Sequence, residues 1–279
     1  KSSTISFKTM LEKFKETAEF IKNIIGETPD FAIVLGSGLG KLQHEVEAIN
    51  TLDYKDIPNF PQTTVVGHGG KLIYGILEGK KVLMMSGRFH YYEGHSMETV
   101  TFPFRVFHLL GIKNLILSNA CGGVNPNFKV ADIMILTDHI NMMPEHPLRG
   151  KNIDELGPRF VDMSEPYNRK MIELAKNIAV QEKIDLKEGV YVALSGPTFE
   201  TPAEYGMVRA IGGAAVGMST VPEVIVAKHQ GMDCFCLSII TDLGGPDISF
   251  AVSHEEVLEA ANKAMPNVIK IVKGLVKNY

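Results

Sequence analysis

Cysteine is scarce in this 279-residue chain: Cys121, Cys234 and Cys236 are the whole supply. Three thiols make no disulfide framework and cannot give a structural zinc its four ligands. Cys234 and Cys236 alternate within an apolar run, which puts both on one face of a strand as buried thiols. Long hydrophobic runs are missing too. A bilayer span needs roughly 20 apolar residues, and the longest uncharged stretch, residues 114–128, carries Asn, Gly and Pro; no membrane association is expected. Nor is there a basic cluster. With 28 Lys plus Arg against 32 Asp plus Glu the net charge is -4, so nucleic acid, which demands clustered cations, is excluded as a partner. The first 26 residues are amphipathic and charged with both signs, unlike a secretory signal. A reducing, cytoplasmic location is therefore expected. Repeats, linkers and low-complexity segments are absent, and Gly and Pro are dispersed. One domain over residues 1–279 is expected rather than two joined by a hinge.

Hydrophobic residues make up 45% of the chain, enough for a sizeable core. Met10, Leu11, Phe14, Ala18, Ile21, Ile24 and Ile25 form a helical stripe ended by Gly26. Residues 31–35 are a short apolar run closed by Gly36, as in a buried strand. Residues 72–77 and 82–86, joined by residues 78–81, predict a hairpin. Further strands are expected over 115–118, 133–137, 191–194 and 235–241, and helices over 102–110, 203–211 and 221–229. A long amphipathic helix is expected over 254–276, with Pro266 marking a kink. This alternation predicts an α/β protein with a mainly parallel, buried sheet. Nearly every predicted strand ends in a polar, Gly-rich segment. In open α/β sheets ligands lie beyond the carboxyl ends of the strands. The segments at 36–38, 86–88, 119–123, 195–197, 217–219 and 241–242 are therefore expected to converge on one pocket.

Gly36-Ser37-Gly38-Leu39-Gly40 is no dinucleotide fingerprint, since Lys41 replaces the third Gly, and no Walker loop, since Gly-Lys-Ser/Thr is missing. It is either an anion loop, with backbone N–H groups and the Ser37 hydroxyl as donors, or a plain tight turn. Residues 87–95 gather Arg88, His90, Glu93 and His95. Gly94 spoils the helical spacing of a zinc-binding His-x-x-Glu-His. Arg88 and His90 instead point the same way from an extended segment toward a shared anion, with Glu93 accepting from His90 and fixing its orientation. A surface loop is the alternative. Gly217-Met218-Ser219-Thr220-Val221 misses the nucleophile elbow at its fifth position, which leaves Ser219 as a donor ahead of a helix. Glu200 either caps the next helix or reads the N–H groups of a planar heterocycle, with Phe199 packed on its face.

These segments, in this order, resemble the trimeric purine nucleoside phosphorylase family. The resemblance also rests on Ile57-Pro58-Asn59-Phe60-Pro61, Phe102-Pro103-Phe104-Arg105-Val106, Asn119-Ala120-Cys121-Gly122-Gly123 and Gly196-Pro197-Thr198-Phe199-Glu200-Thr201. It runs from about residue 13 to the last helix. It implies a three-layer α/β/α fold with a mixed, partly barrel-like central sheet, assembled as a homotrimer. The implied reaction is phosphorolysis of purine ribonucleosides and deoxyribonucleosides to free base and pentose 1-phosphate. No metal or organic cofactor is implied; inorganic phosphate is a co-substrate. By the same resemblance Ser37, His68, Arg88, His90, Ala120 and Ser219 would hold phosphate. Tyr92, Met218 and His254 would hold the ribose, His254 at the 5′-hydroxyl. Phe199, Glu200 and the residue at 242 would hold the base, and Phe160 would close a neighbouring subunit's site. Catalytic roles fall to His90, Glu200 and Asp242. For His254 a local role as a helix cap is the alternative.

Two departures from the family pattern stand out. Asp242 follows Thr241 where the family usually has Asn, and residues 142–149 form a shorter loop than in some relatives. Methylthioadenosine phosphorylase, a relative of the same fold, prefers an apolar residue where His254 stands and lacks the Glu200 carboxylate, so both residues favour a nucleoside substrate. The set of anion donors argues against a silent nucleoside-binding protein and against a phosphate-independent hydrolase.

Overall fold

Thr9 starts the first helix, α1 (Met10–Ile25), with a reciprocal cap. Its hydroxyl accepts from the Glu12 N–H, and the Glu12 carboxylate accepts from the Thr9 N–H. Gly26 ends the helix in the left-handed region. The structure, a computed structural model, describes residues 8–65, 69–245, 248 and 251–279. After α1 come β1 (Phe31–Leu35), β2 (Glu47–Asp53), β3 (Lys71–Leu77), β4 (Lys80–Ser86) and α2 (Met97–Leu109). Then follow β5 (Asn114–Gly123), β6 (Ile133–Asn141), α3 (Arg169–Gln181), β7 (Leu186–Ala193), α4 (Pro202–Ala210), β8 (Ala215–Gly217), α5 (Val221–His229), β9 (Asp233–Leu243) and α6 (His254–Asn278).

The strands form one sheet in the order β2-β3-β4-β1-β5-β8-β7-β6-β9, and β9 pairs back onto β5. Five strands, β5, β8, β7, β6 and β9, thus close a small barrel. The expected mainly parallel sheet is corrected to a mixed one, as the family resemblance implies. β1 lies parallel to β4 and β5, and β5 to β9, whereas β2–β3, β3–β4, β5–β8 and β6–β9 are antiparallel. The tight link between β3 and β4 explains one reversal: Glu78 and Gly79 both take positive φ, the geometry of a two-residue hairpin turn.

Helices pack as outer layers. α2 lies against α1 and α5, while α6 lies against α3 and β9. Every residue of β1 is buried, as its apolar run predicts. β5 and β9 extend further than their apolar runs suggest, and their extra residues carry Asn119–Gly123 and Asp242 to the sheet's end. α6 continues through Pro266, where a kink was expected. Its buried stripe of Ala261, Ala264, Met265 and Val268 spans the proline and holds both halves against the core. β2, α3 and β8 are not among the predicted elements. Among the described residues no helix is long and apolar enough to cross a membrane.

Candidate active site

The polar ends of the strands meet, as expected, around one cavity of about 330 Å³. Ser37, Arg88, His90, Tyr92, Ala120, Phe199, Glu200, Met218, Ser219, Asp242 and His254 all line it. Two predicted residues are not placed there. His68 lies outside the described residues. Phe160 is 88% exposed and lines a separate surface groove with Arg149, Arg159 and Ile225.

The loop after β1 enters the cavity by close approach. A Cβ on Gly36 would lie 2.7 Å from the Asn119 Cα and the Ser118 carbonyl oxygen, so only glycine lets this loop sit against β5. Gly38, at φ +75, turns the chain immediately after Ser37.

Arg88 is almost wholly buried and is anchored on two sides. Its Nη1 donates to the Ser118 carbonyl at 2.7 Å. Its Nη2 donates to one oxygen of Glu223 at 3.1 Å and its Nε lies 2.8 Å from the other, an ion pair with 2% and 1% side-chain exposure. A buried charge of this kind persists only when paired. Sequence reasoning found Arg88 and missed Glu223, which sits in the first turn of α5, 135 residues away.

His90 is held as its local pattern predicts. Glu93 Oε2 lies 3.2 Å from His90 Nδ1 and accepts from the His90 backbone N–H at 2.7 Å. Thr64 donates its N–H and its hydroxyl to the other oxygen, each at 2.7 Å. Burial pushes the Glu93 carboxyl up, but the donors from His90 and Thr64 prevail and bring it to about 2. An ionised Glu93 only accepts, so Nδ1 of His90 carries the proton. The ring stacks on Tyr92 with centroids 4.7 Å apart.

The segment Gly217-Met218-Ser219 ends β8 and enters α5 through Thr220, a buried β-branched residue at φ 71 and ψ -52. The Val221 N–H donates to the Ser219 carbonyl at 2.8 Å, closing a three-residue γ-turn. This conformation is costly for threonine.

Glu200 does not cap α4. Thr201 does, with Glu204 completing the reciprocal pair and Pro202 in the first turn. Glu200 faces the cavity instead. Burial pushes its carboxyl up to about 7, and the neighbouring Asp242 adds to the rise. Burial raises Asp242 as well, against hydrogen bonds from Thr241 (2.9 Å) and the Tyr205 hydroxyl (3.5 Å). Tyr205, on α4, interacts with both carboxyl groups. His254 is likewise no cap: Ser253 and Glu256 cap α6, leaving His254 at the cavity mouth. The three thiols are buried and unbonded to one another, and burial pushes each one up, which keeps them protonated. Among the described residues no cluster of His, Cys, Asp and Glu could hold a metal ion.

Val216 and Val257 also line the cavity without having been expected there. Val216 is one apolar residue in an apolar run and Val257 one member of the buried stripe of α6, and no local signal separates wall from core.

A cluster of Arg, His and hydroxyl groups shares one cavity with an aromatic and two carboxyl groups, on a sheet that closes into a barrel. That combination defines a phosphorylase. The sequence profile described as "Phosphorylase superfamily" matches residues 30–277. The chain is 48% identical over 264 residues to purine nucleoside phosphorylase 1 of Geobacillus stearothermophilus, covering 95% of this chain and 96% of that protein. It is similar in structure to the Schistosoma mansoni purine nucleoside phosphorylase solved with adenosine: TM-score 0.91, 40% identity, 96% of this chain and 97% of the other. The same enzyme solved with inosine matches with TM-score 0.91 and 40% identity, covering 96% of each chain. The chain belongs to the phosphorylase superfamily and, within it, to the purine nucleoside phosphorylases.

Proposed function

We propose that this chain catalyses the reversible phosphorolysis of purine ribonucleosides and deoxyribonucleosides, as a pentosyltransferase of purine salvage. An oxygen of inorganic phosphate bonds to C1′ while the C1′–N9 bond breaks, and its electron pair leaves with the purine. The products are free base and pentose 1-phosphate. The observation that carries this reading is the single cavity shared by the anion donors and the base-reading carboxyl groups.

Ser37, Arg88, His90, Ala120 through its N–H, and Ser219 hold phosphate, with His68 assigned alongside them by resemblance. Glu223 and Glu93 fix Arg88 and His90 before substrate arrives, so little reorganisation is needed when charge develops. Tyr92, Met218 and His254 receive the pentose. Phe199 covers the purine, and Glu200 and Asp242 take its polar edge. Charge builds on the departing base in an oxocarbenium-like transition state, and with 6-oxopurines a protonated Asp242 neutralises it by donating at the N7 and O6 edge. We assign no cofactor beyond phosphate, a single domain, a cytoplasmic location that suits three reduced buried thiols, and a homotrimer in which Phe160 reaches a neighbour's cavity.

Two carboxyl groups near one another with raised proton affinity tend to share one proton. With the proton on Glu200, that group donates to N1 of adenine and ionised Asp242 accepts from the 6-amino group. With it on Asp242, ionised Glu200 accepts from N1–H of hypoxanthine and Asp242 donates to O6. Both 6-amino and 6-oxopurine nucleosides are therefore substrates.

The test is base release from inosine, guanosine, adenosine and methylthioadenosine, with and without phosphate. Release is expected only with phosphate, and Arg88→Ala is expected to lose about 2–5 kcal/mol of transition-state stabilisation in kcat/KM. Full release without phosphate, or an unaffected Arg88→Ala enzyme, would refute the reading.

A further inference from the structure

The γ-turn residue Thr220 is joined to three other side chains in an unbroken line. Ser238 Oγ, on β9, donates to Asn119 Oδ1 at 2.7 Å. Asn119 Nδ2, on β5, donates to Thr220 Oγ1 at 2.9 Å. Thr220 Oγ1 lies 3.0 Å from Ser219 Oγ, and Ser219 lines the cavity. Ser238, Asn119 and Thr220 are essentially inaccessible, at 0%, 1% and 0% exposure.

The direction of this chain matters. An amide oxygen only accepts and an amide NH2 only donates, so Asn119 passes polarity one way, from Ser238 toward Thr220. The Thr220 oxygen then accepts a hydrogen bond from behind and is best completed by donating its own O–H forward to Ser219. Ser219 Oγ, its acceptor side taken, turns its hydrogen into the cavity. Each bond polarises the next in a buried line, and an anion at the open end favours that polarity over the reverse. This accounts for the strained turn. The turn, with Thr220 at φ 71, sets its hydroxyl between Asn119 and Ser219.

We infer that Ser238, Asn119 and Thr220 form an ordered donor relay, with Thr220 the positioning residue that aims the Ser219 hydroxyl at phosphate. The inference rests on the proposed role of Ser219 as a phosphate donor. Asn119 borders the cavity, whereas Ser238 and Thr220 do not line it, so the effect of Thr220 on the anion runs through Ser219.

The experiment is a double-mutant cycle on steady-state kinetics with inosine and inorganic phosphate as varied substrates. Thr220→Val keeps the shape and removes the hydroxyl; it is expected to raise the KM for phosphate about three- to tenfold, with the KM for inosine within about twofold. Thr220→Ser restores the hydroxyl and is expected to return phosphate KM to near the native value. In a Ser219→Ala background Thr220→Val should add nothing, because its effect runs through Ser219. Ser238→Ala, which frees the Asn119 amide at the far end of the line, should shift phosphate KM the same way by a smaller factor, and carries the cycle if Thr220→Val does not fold. Equal rises in both KM values, or a Thr220→Val effect undiminished without Ser219, overturns the relay. A native phosphate KM in Ser219→Ala removes the phosphate role of Ser219 itself, and the relay falls with it. A raised phosphate KM in Ser219→Ala with none in Thr220→Val overturns the relay alone.

Discussion

Asp242 carries one oxygen where an amide would carry an NH2, and the difference is a proton. If the cavity reads adenine with the shared proton on Glu200 and hypoxanthine with it on Asp242, both substrates need the same one-proton state. The native ratio of kcat/KM for adenosine to inosine is then flat between pH 6 and 8, even though the two rates each vary. The ionisation of phosphate cancels because both reactions use it. Asp242→Asn breaks the symmetry. The remaining titratable reader is Glu200, raised to about 7 by burial: adenosine needs it protonated at N1, inosine needs it ionised. In that variant the ratio is expected to fall by up to tenfold per pH unit as pH rises, and at neutral pH to lie about 10–100-fold below native, a loss of roughly 1–3 kcal/mol. Tyr205, which touches both carboxyl groups, Glu204, which faces Glu200, and Glu256, which faces Asp242, are common to both enzymes. A native ratio that slopes like the variant's contradicts the shared proton.

At the scale of elements, α2 and α5 are tied by a contact that no sequence pattern announces. Arg105 Nη1, in α2, lies 2.8 Å from Nδ1 of His229 at the end of α5, and His229 Nε2 lies 3.1 Å from Asn152 Oδ1. The guanidinium only donates, so Nδ1 accepts and the ring is neutral with its proton on Nε2. Burial and the Arg105 charge hold His229 below its ordinary value. The unfolded chain therefore takes this proton before the native one does, and native stability falls as pH drops below about 6.5. Gln offers an acceptor and a donor without titrating. Melting curves between pH 7.5 and 5 are expected to show a smaller acid-induced drop in Tm for His229→Gln than for the native chain; equal drops would show that this ring contributes nothing. The elements themselves were legible in proportion to their apolar patterning. β1, β4 and α1 declared themselves because a buried run or stripe has a period. β2 did not, because its seven residues are exposed or half-exposed and carry Glu47, Asn50 and Asp53; β8 did not, because three residues have no period. α3 is a different case: Met171, Ile172, Ala175, Ile178 and Ala179 mark its buried face at helical spacing, and the signal was there to be used. In the cavity the lining residues with motifs around them were legible. Glu223, Thr220 and Tyr205 were not, since their partners lie far off in the chain or on another element.

At the scale of the molecule, Phe160 is a large aromatic exposed on its own chain and absent from its own cavity. The proposed homotrimer gives it a place. Sedimentation at assay concentration is expected to show three chains per particle. Phe160→Ala and Arg88→Ala, each weakly active alone, are expected to recover activity when co-expressed in mixed particles, because an Arg88→Ala chain still lends its Phe160 to a neighbour whose phosphate site is whole. Mixed particles no more active than the parents would show that the cavity is complete within one chain. The return of β9 onto β5 bears on how separate particles meet. Among the described strands it leaves β2 as the one with a single neighbouring strand. Such a strand presents unpaired N–H and C=O groups to any passing chain. Here it bears acidic residues, lies largely in water and is bulged between Ala48 and Asn50, which makes it a poor template for strand-to-strand polymerisation. Among the described residues, the outermost strand of the sheet thus offers its surroundings little regular edge on which an aggregate can grow.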